Sequence, residues 1–275
     1  MFVDKNFLKR TLKQRNPGSH KGENGKVLVV GGSKLYFGSP ALVGLSALRA
    51  GADLVYLLVP ESIAATVASY SPDLIVYGYE GDYLNESAMY LFYQIQEKTD
   101  AMVIGNGITK NSSVLKVAAK MIKEYKKPCV VDADAIVDGG YKVKDAVYTP
   151  HVKEFTLLAD LSVPQQMSAA EKVVKTAAEN IGSVVLLKNP VDIISDGNRT
   201  AFNKTGNAGM TVGGTGDTLA GILGTLLAQG CPAFEAAGCA AHINGAAGDL
   251  AYKKFGNSLL ASDLISEIPN VLKKQ

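Results

Sequence analysis

The chain contains 275 residues, of which 47% are hydrophobic and 20% are charged, a balance typical of a globular protein. The formal net charge is +2 at pH 7, so no basic surface argues for a nucleic-acid partner. No apolar run is long enough to cross a bilayer, and the basic N-terminal segment lacks the apolar core of a signal peptide. Cys129, Cys231 and Cys239 have no CxxC spacing, which predicts core thiols in a reducing cytoplasm.

Short apolar strands alternate with amphipathic helices through the first two thirds of the chain. KVLVVGG at 26–32 predicts a buried strand, and the next helix has Ser39 as its expected cap, Pro40 at its first position and Gly51 at its end. Further strands are predicted at 53–60, 73–78, 101–107, 128–134, 146–150 and 183–189, with helices at 111–125 and 168–181. The alternation predicts an α/β fold with a mostly parallel sheet and helices on both faces. Because nothing resembles a linker, we expect a single domain over residues 1–275.

The last third of the chain is predicted to form three helices in succession, at 218–230, 232–252 and 259–272. In open α/β sheets, ligands bind beyond the carboxyl ends of the strands. Four glycine-rich or polar segments follow predicted strands and are therefore candidates for the site: GGSK, GNG, DAD and TPH.

The segment GMTVGGTGDTLAG at 209–221 places three glycines beside one carboxylate at a predicted helix start. It is not a Walker phosphate loop, because Thr215 stands where that motif has Lys, and Leu219 breaks the GxGxxG pattern. Glycines still allow successive N–H groups to converge on an anion, and the helix start adds positive charge. The pattern therefore predicts a phosphate site at which Asp217 takes a proton from an attacking hydroxyl. The alternative is an ordinary helix start with a dipole-favoured Asp.

The segment NAGMTVGGTGDTLAGILGTLLAQG closely resembles the signature of the ADP/ATP-dependent NAD(P)H-hydrate dehydratases, which belong to the ribokinase-like superfamily. The resemblance covers roughly residues 19–270. It includes, in order, the segments SHKGENGKVLVVGGSKLYFGSPALVGLSALRAGADLVYLLVPE, VIGNGI, VVDADAI, YTPHVKEF, LLKNPVDIISDG and LLASDLISEIP. The resemblance implies a ribokinase-like fold.

The resemblance also implies a reaction. Enzymes of this family transfer a phosphoryl group from ADP or ATP to the C6 hydroxyl of hydrated NADH or NADPH (NADHX or NADPHX). Phosphate then leaves and the reduced dinucleotide is restored. The family suggests Mg²⁺ as a cofactor and a homotetramer in the cytoplasm. In some organisms the dehydratase is fused to an epimerase domain, for which a chain of 275 residues has no room. We therefore expect the stand-alone form, with a separate epimerase as functional partner.

Site residues follow from the same resemblance. Asp217 would be the catalytic base. The nucleotide would be held by Lys188, Asn189, Pro190, Val191, Asp192, Gly213, Gly214 and Gly216, with Asn189 standing where the family commonly has Gly. The hydrated dinucleotide would contact Ala41, Gly107, His151, Asn207 and Asp217. Glu154 is the candidate for holding Mg²⁺ through water, by similarity to an Asn-x-x-Glu motif of sugar kinases that reads His-x-x-Glu here.

Several of these residues also have ordinary structural interpretations. Ala41 suits the first turn of a helix, and Gly107 suits a tight turn after a strand. His151 would often be a solvated loop residue, and Lys188 would often extend from a strand end into solvent.

Other polar residues, and the reaction itself, have alternative interpretations. Asp132 and Asp134 would either orient Mg²⁺ or substrate, or form a turn. His242, in the Ala/Gly-rich helix, is interpreted as a packing residue. Two other functions stay open: a ribokinase-like vitamin kinase that phosphorylates a hydroxymethylpyrimidine or thiazole alcohol, and a nucleotide sensor without turnover.

Overall fold

The computed structural model describes residues 1–143 and 145–273. Its strands are β1 (Lys26–Val30), β2 (Leu54–Pro60), β3 (Ile75–Tyr79), β4 (Ala101–Ile104), β5 (Cys129–Val131), β6 (Ala146–Tyr148), β7 (Val184–Leu187), β8 (Asp192–Ser195) and β9 (Thr200–Asn203). They form one sheet in the order β3-β2-β1-β4-β5-β6-β7-β8-β9. Pairing is parallel from β3 through β7 and antiparallel for β8 and β9. The predicted mostly parallel sheet is confirmed, and each predicted strand is present.

Helices cover both faces of this sheet. They are α1 (Lys5–Thr11), α2 (Ser39–Arg49), α3 (Glu61–Ser69), α4 (Ala88–Gln96), α5 (Ser112–Glu124), α6 (Val152–Ala159), α7 (Met167–Ile181), α8 (Thr215–Ala228), α9 (Ala233–Phe255) and α10 (Ala261–Leu272). Apolar residues of α4 to α7 form the core on one face, and those of the other six helices form the core on the opposite face. Within the described ranges, none of these helices has the length and apolar character needed to cross a membrane.

Two details of the predicted local structure can be compared with the helices. Ser39 is the first residue of α2 and not its cap, because Gly38 takes the cap position without a side-chain hydrogen bond. Gly51 follows the helix end with a φ of 105°, the left-handed conformation that glycine adopts readily, as predicted. The three cysteines are buried free thiols, also as predicted.

Helix α8 is the element that brings the glycine-rich segment to the sheet. Every residue from 218 to 227 is buried, as expected for a helix that is apolar on all sides and enclosed by its neighbours. It packs between α2, α9 and the central strands. The approach to α2 is very close, since a Cβ atom on Gly221 would lie 2.2 Å from the Val43 carbonyl oxygen. This packing fixes the first turn of α8 at the carboxyl ends of the strands.

Candidate active site

Four polar side chains follow directly on four neighbouring parallel strands. Asn106 comes after β4, Asp132 after β5, Thr149 after β6 and Lys188 after β7. Neighbouring strands lie about 4.8 Å apart, so these side chains share one edge of the sheet. One of them, Asn106, donates a hydrogen bond to Asp217 in the first turn of α8. The site therefore lies where ligands are expected in an open α/β sheet.

Asp132 is the centre of this polar network. The residue is only 1% exposed. Its Oδ1 accepts hydrogen bonds from Thr149 Oγ1 at 2.7 Å and from Lys188 Nζ at 2.9 Å, and its Oδ2 accepts one from Asn106 Nδ2 at 2.9 Å. A buried carboxylate is tolerated when a cation and hydrogen bonds compensate its charge in this way. The Asp132 backbone carbonyl begins a tight turn by accepting a hydrogen bond from Ala135 N, but its side chain belongs to the polar network. The Asp134 side chain accepts a hydrogen bond from Thr109 N and closes a loop.

Asp217 has the properties of a proton acceptor. Its Oδ1 accepts a hydrogen bond from Asn106 Nδ2 at 2.7 Å, and the Ser39 side chain is near enough to favour the ionised form. Burial raises the pKa of Asp217 from its ordinary value of 3.8 to about 6, and the negative charge of Asp132 adds to this effect. Asn106, Ser39 and Lys188 act in the opposite direction. A carboxylate with a pKa in this range is suited to general-base catalysis near neutral pH. The Ser39 side chain was predicted to cap α2, but it acts on Asp217 instead and lowers its pKa.

The glycine-rich segment opens α8 with a left-handed residue. Gly214 has a φ of 95°, and a Cβ atom there would lie 2.7 Å from Leu42 Cδ1 and 2.9 Å from Ala261 Cβ. Both the conformation and the space therefore require glycine. At Gly213, by contrast, a Cβ atom would meet no protein atom within 4 Å. The N–H groups of the first turn have no acceptor within the helix and, with the helix dipole, can bind an anion.

Lys188 faces this glycine-rich segment. A Cβ atom on Gly216 would lie 3.5 Å from Lys188 Nζ. The side chain of Lys188 is 23% exposed and pairs with Asp132, so it does not extend into solvent. Burial alone would lower the pKa of Lys188, but the negative charges of Asp132, Glu154 and Asp217 outweigh it and raise that pKa. Lys188 is therefore a fixed cation beside the anion-binding turn.

The turn from β7 to β8 is shaped by Asp192. Its Oδ1 accepts a hydrogen bond from Asn189 N at 3.1 Å, and its Oδ2 accepts one from Asn203 Nδ2 at 2.9 Å. Burial raises the pKa of Asp192 to about 6, against the lowering effect of these two hydrogen bonds and of Lys188. Asn189 and Pro190 are exposed and Val191 is partly buried. Asp192 therefore fixes the turn, and the exposed residues before it remain accessible to a ligand.

His151 and Glu154 form a reciprocal cap at the start of α6. The His151 Nδ1 atom accepts hydrogen bonds from Lys153 N and Glu154 N, while Glu154 Oε2 accepts one from His151 N at 2.8 Å. Glu154 Oε2 also lies 3.9 Å from Lys188 Nζ, so the cap borders the polar network. The His151 side chain remains 53% exposed. Its position is structural, and one edge of the ring remains open to a ligand.

Gly107 and Ala41 lie on the side of the site formed by α2. Gly107 has a φ of 75°, and a Cβ atom there would lie 2.8 Å from Tyr36 Cβ and 3.2 Å from Ser39 Cβ. Its lack of a side chain thus allows the segment before α2 to approach β4 closely. Ala41 is buried in the first turn of α2, beside Leu42, which contacts Gly214. Their predicted substrate contacts stay predictions.

The Asn207 side chain makes its hydrogen bonds within the protein. Its Oδ1 accepts a hydrogen bond from Gly209 N, and its Nδ2 donates to Asp249 Oδ1 at 2.9 Å. Asp249 Oδ2 also accepts a bond from Gly206 N. Both polar ends of Asn207 are therefore used in fixing the entry to the glycine-rich segment. Asp249 carried no signal in the sequence, because it lies on α9, in an Ala/Gly-rich helix with no motif.

Asn106 and Thr149 are site residues that the sequence did not single out. Both lie in predicted strand-end segments, GNG and TPH, but the residues predicted there to contact the substrate were their neighbours Gly107 and His151. Strand ends in parallel sheets place polar side chains at the ligand-binding edge. A polar residue directly after a buried strand was therefore the available signal.

The nine-stranded sheet and the flanking helices define a ribokinase-like fold. The sequence model of the NAD(P)H-hydrate dehydratase family matches residues 27–270, so the chain belongs to that family.

Individual relatives agree with this assignment. The chain is 39% identical over 277 residues to an ADP-dependent (S)-NAD(P)H-hydrate dehydratase of Cenarchaeum symbiosum, covering 99% of this chain and 96% of that protein. It is 40% identical over 270 residues to the bifunctional NAD(P)H-hydrate repair enzyme Nnr of Methanothermobacter thermautotrophicus, covering 95% of this chain. That match covers 52% of the bifunctional enzyme, so the chain spans about half the length of such relatives.

A solved structure shows the same fold. The ADP/ATP-dependent NAD(P)H-hydrate dehydratase of Bacillus subtilis, co-crystallized with ATP/Mg²⁺, matches with a TM-score of 0.86 and 26% identity. The match covers 99% of this chain and 98% of that one.

Proposed function

We propose that this chain is an ADP-dependent (S)-NAD(P)H-hydrate dehydratase that restores NADH and NADPH from their hydrates, NADHX and NADPHX. Family membership and the stand-alone relative of matching length support the activity. The structural observation that carries it is Asp217, a partly buried carboxylate with a pKa of about 6 at the glycine-rich start of α8. This is the group that phosphoryl transfer to an alcohol requires.

The reaction proceeds in two stages. Asp217 takes the proton of the C6 hydroxyl while the hydroxyl oxygen attacks the β-phosphorus of ADP, and the bond from that phosphorus to AMP breaks. The C6–O bond of the phosphate ester then breaks as the lone pair of the ring nitrogen moves into the ring. Loss of the C5 proton restores the dihydronicotinamide, so one ADP and one hydrate give AMP, phosphate and NADH. ATP would give ADP in place of AMP.

The nucleotide is proposed to bind between residues 213–216 and residues 188–192. The first-turn N–H groups of α8 and the Lys188 ammonium would meet the transferring phosphoryl group and stabilise its charge. The open space at Gly213 admits phosphate oxygens where a side chain would stand. The hydrated dinucleotide would lie across Ala41, Gly107 and His151, with its C6 hydroxyl at Asp217. Asn207 would act by fixing the entry to the glycine-rich segment.

Magnesium fits this site only as a partner of the phosphates. Among the described residues, no three His, Cys, Asp or Glu side chains converge as direct ligands. Glu154 retains lone pairs beyond those in its cap, and Mg²⁺ commonly keeps several waters while it binds phosphates and one or two carboxylates. Glu154 would therefore hold Mg²⁺ through water, and the ion would neutralise charge on the phosphates. A cytoplasmic homotetramer that works with a separate epimerase completes the proposal.

The decisive experiment mixes the protein with NADHX, ADP and Mg²⁺ and follows the absorbance of reduced nicotinamide together with AMP and phosphate. We expect NADH, AMP and phosphate in equal amounts, with only the S epimer consumed. A vitamin kinase would leave NADHX unchanged and would form AMP only in a parallel mixture in which a hydroxymethylpyrimidine or thiazole alcohol replaces NADHX as the phosphoryl acceptor. A nucleotide sensor would bind ADP and form no product. Either of these outcomes would rule out the dehydratase.

A further inference from the structure

Asn106 is a buried amide placed between two carboxylates. It is 0% exposed, and its Nδ2 atom donates to Asp217 Oδ1 at 2.7 Å and to Asp132 Oδ2 at 2.9 Å. Ionised carboxylates only accept hydrogen bonds, so both N–H bonds of the amide are engaged, one with each anion. The Asn106 Oδ1 atom is buried without a hydrogen-bond partner among the described residues. The amide therefore serves the two carboxylates, and nothing in the described structure holds its other end.

We infer that Asn106 is a positioning residue of the reaction: its shared amide nitrogen holds the Asp217 carboxylate in place and keeps it the anion that proton abstraction requires. The inference rests on the proposed function for its catalytic consequence. The effect of Asn106 on the ionisation of Asp217 does not depend on the proposed function, because that ionisation can be measured without turnover.

Without Asn106, the two carboxylates would keep different numbers of stabilising partners. This difference decides which carboxylate would take up a proton. Asp132 would keep Thr149 and the Lys188 ammonium. Asp217 would keep only the Ser39 side chain from α2. The charged groups that act on Asp217 are Asp132 at the end of β5 and Lys188 at the end of β7, and the second is already paired with the first. Two neighbouring carboxylates of unequal support share their proton unevenly, so Asp217 would be the one to protonate.

The sign of the expected effect follows from this asymmetry. The Asn106 hydrogen bond lowers the pKa of Asp217, which burial has raised to about 6. Its removal therefore raises that pKa further. Because the base must be ionised, the acid side of the kcat profile should move to higher pH. A hydrogen bond to a charged group corresponds to a shift of about one to two pH units.

The experiment compares Asn106→Ala and Asn106→Ser with the wild type in kcat profiles from about pH 5 to about pH 9. Near pH 6, a rise of the Asp217 pKa from about 6 to about 7 or 8 predicts a loss in kcat of about fivefold to fiftyfold, which shrinks as pH rises, while KM for ADP changes little. Both variants should fold, since the backbone at Asn106 is held separately by Gly32 N, which donates to the Asn106 carbonyl oxygen at 2.8 Å. A loss that is equal at every pH would overturn the inference.

A matched control and a second measurement separate positioning from packing and from the proposed function. Thr225 lies on the same helix as Asp217, about two turns further on, and its hydroxyl donates a buried hydrogen bond to the Ala47 carbonyl oxygen of α2. Thr225→Val removes this hydrogen bond and should leave the kcat profile unchanged. Titration of the Asp217 carboxyl carbon by ¹³C NMR should show a higher pKa in both Asn106 variants. If the wild type does not dehydrate NADHX, the proposed function fails, yet this titration still decides the inference. An unchanged Asp217 titration would refute it.

Discussion

Replacement of Asp217 by Asn tests two things in one protein: whether Asp217 is the catalytic base, and how much its charge destabilises the folded state. Asn keeps the size of the side chain, its Oδ1 can still accept the hydrogen bond of Asn106, and its Nδ2 can donate to Ser39 Oγ. What changes is the charge and the ability to take a proton. Any difference between the two proteins therefore reports on ionisation.

The folded state should become more stable. The pKa of Asp217 rises from 3.8 to about 6 on folding, and about two pH units at about 1.4 kcal/mol each give an upper bound of about 3 kcal/mol for the cost of its charge. Because the residue is only partly buried, solvent reduces this to roughly 2 kcal/mol. Between pH 3.8 and about 6 the folded state binds more protons than the unfolded one, so the cost grows as pH rises through that range. The variant should melt about 5 °C higher at pH 8 and no higher near pH 4.

Turnover should fall by about a hundredfold to ten-thousandfold, the usual contribution of a positioned general base. ADP affinity should stay equal or improve, since a negative charge beside the phosphates is lost. The assay combines melting curves at two pH values, calorimetric ADP binding and phosphate release, with Asp134→Asn as a control at the same sheet edge. Asp134 only closes a loop through Thr109 N, so its variant should keep normal turnover. An Asp217→Asn protein that turns over normally would refute the assignment, and one that melts lower at pH 8 would refute the electrostatic reasoning.

The remaining predictions concern the glycine-rich segment, Lys188 and the pH profile of the wild type. Gly213→Ala should melt like the wild type because the new Cβ atom would meet no protein atom. Weaker ADP binding by this variant in calorimetry would place phosphate at Gly213. Gly214→Ala should be less stable than the wild type, because Gly214 has a positive φ and a Cβ atom there would lie too close to Leu42. Lys188→Met should leave Asp132 buried without its cation, costing about 3 kcal/mol in denaturant unfolding and weakening ADP binding; unchanged unfolding would contradict the ion-pair argument. Wild-type kcat should rise with pH through about 6; a flat profile would contradict Asp217 as the base.

The fold was predictable because its signals are local. Each buried strand is a short β-branched run, and parallel strands joined by helices leave few alternative arrangements. The antiparallel strands β8 and β9 were not predicted, because the turn before β8 depends on the Asp192 side chain, which accepts a hydrogen bond from Asn189 N in the folded chain. The cap of α2 was misassigned for a related reason. A serine beside a proline at a helix start has the right local pattern, but Ser39 is the first helical residue, and its side chain acts on Asp217, which is far away in sequence.

The same distinction explains what the sequence could reveal about the site. The glycine-rich segment around Asp217 is contiguous, so the proposed base and the proposed anion-binding turn can be read together from the sequence. The proton affinity of that base depends on Asn106, Asp132 and Lys188, which come from three different strand ends and meet only in the fold. A contiguous motif therefore indicates which residue to propose as the base. The residues that tune it are dispersed along the chain, and they become recognisable only when each strand end is examined beside its neighbours.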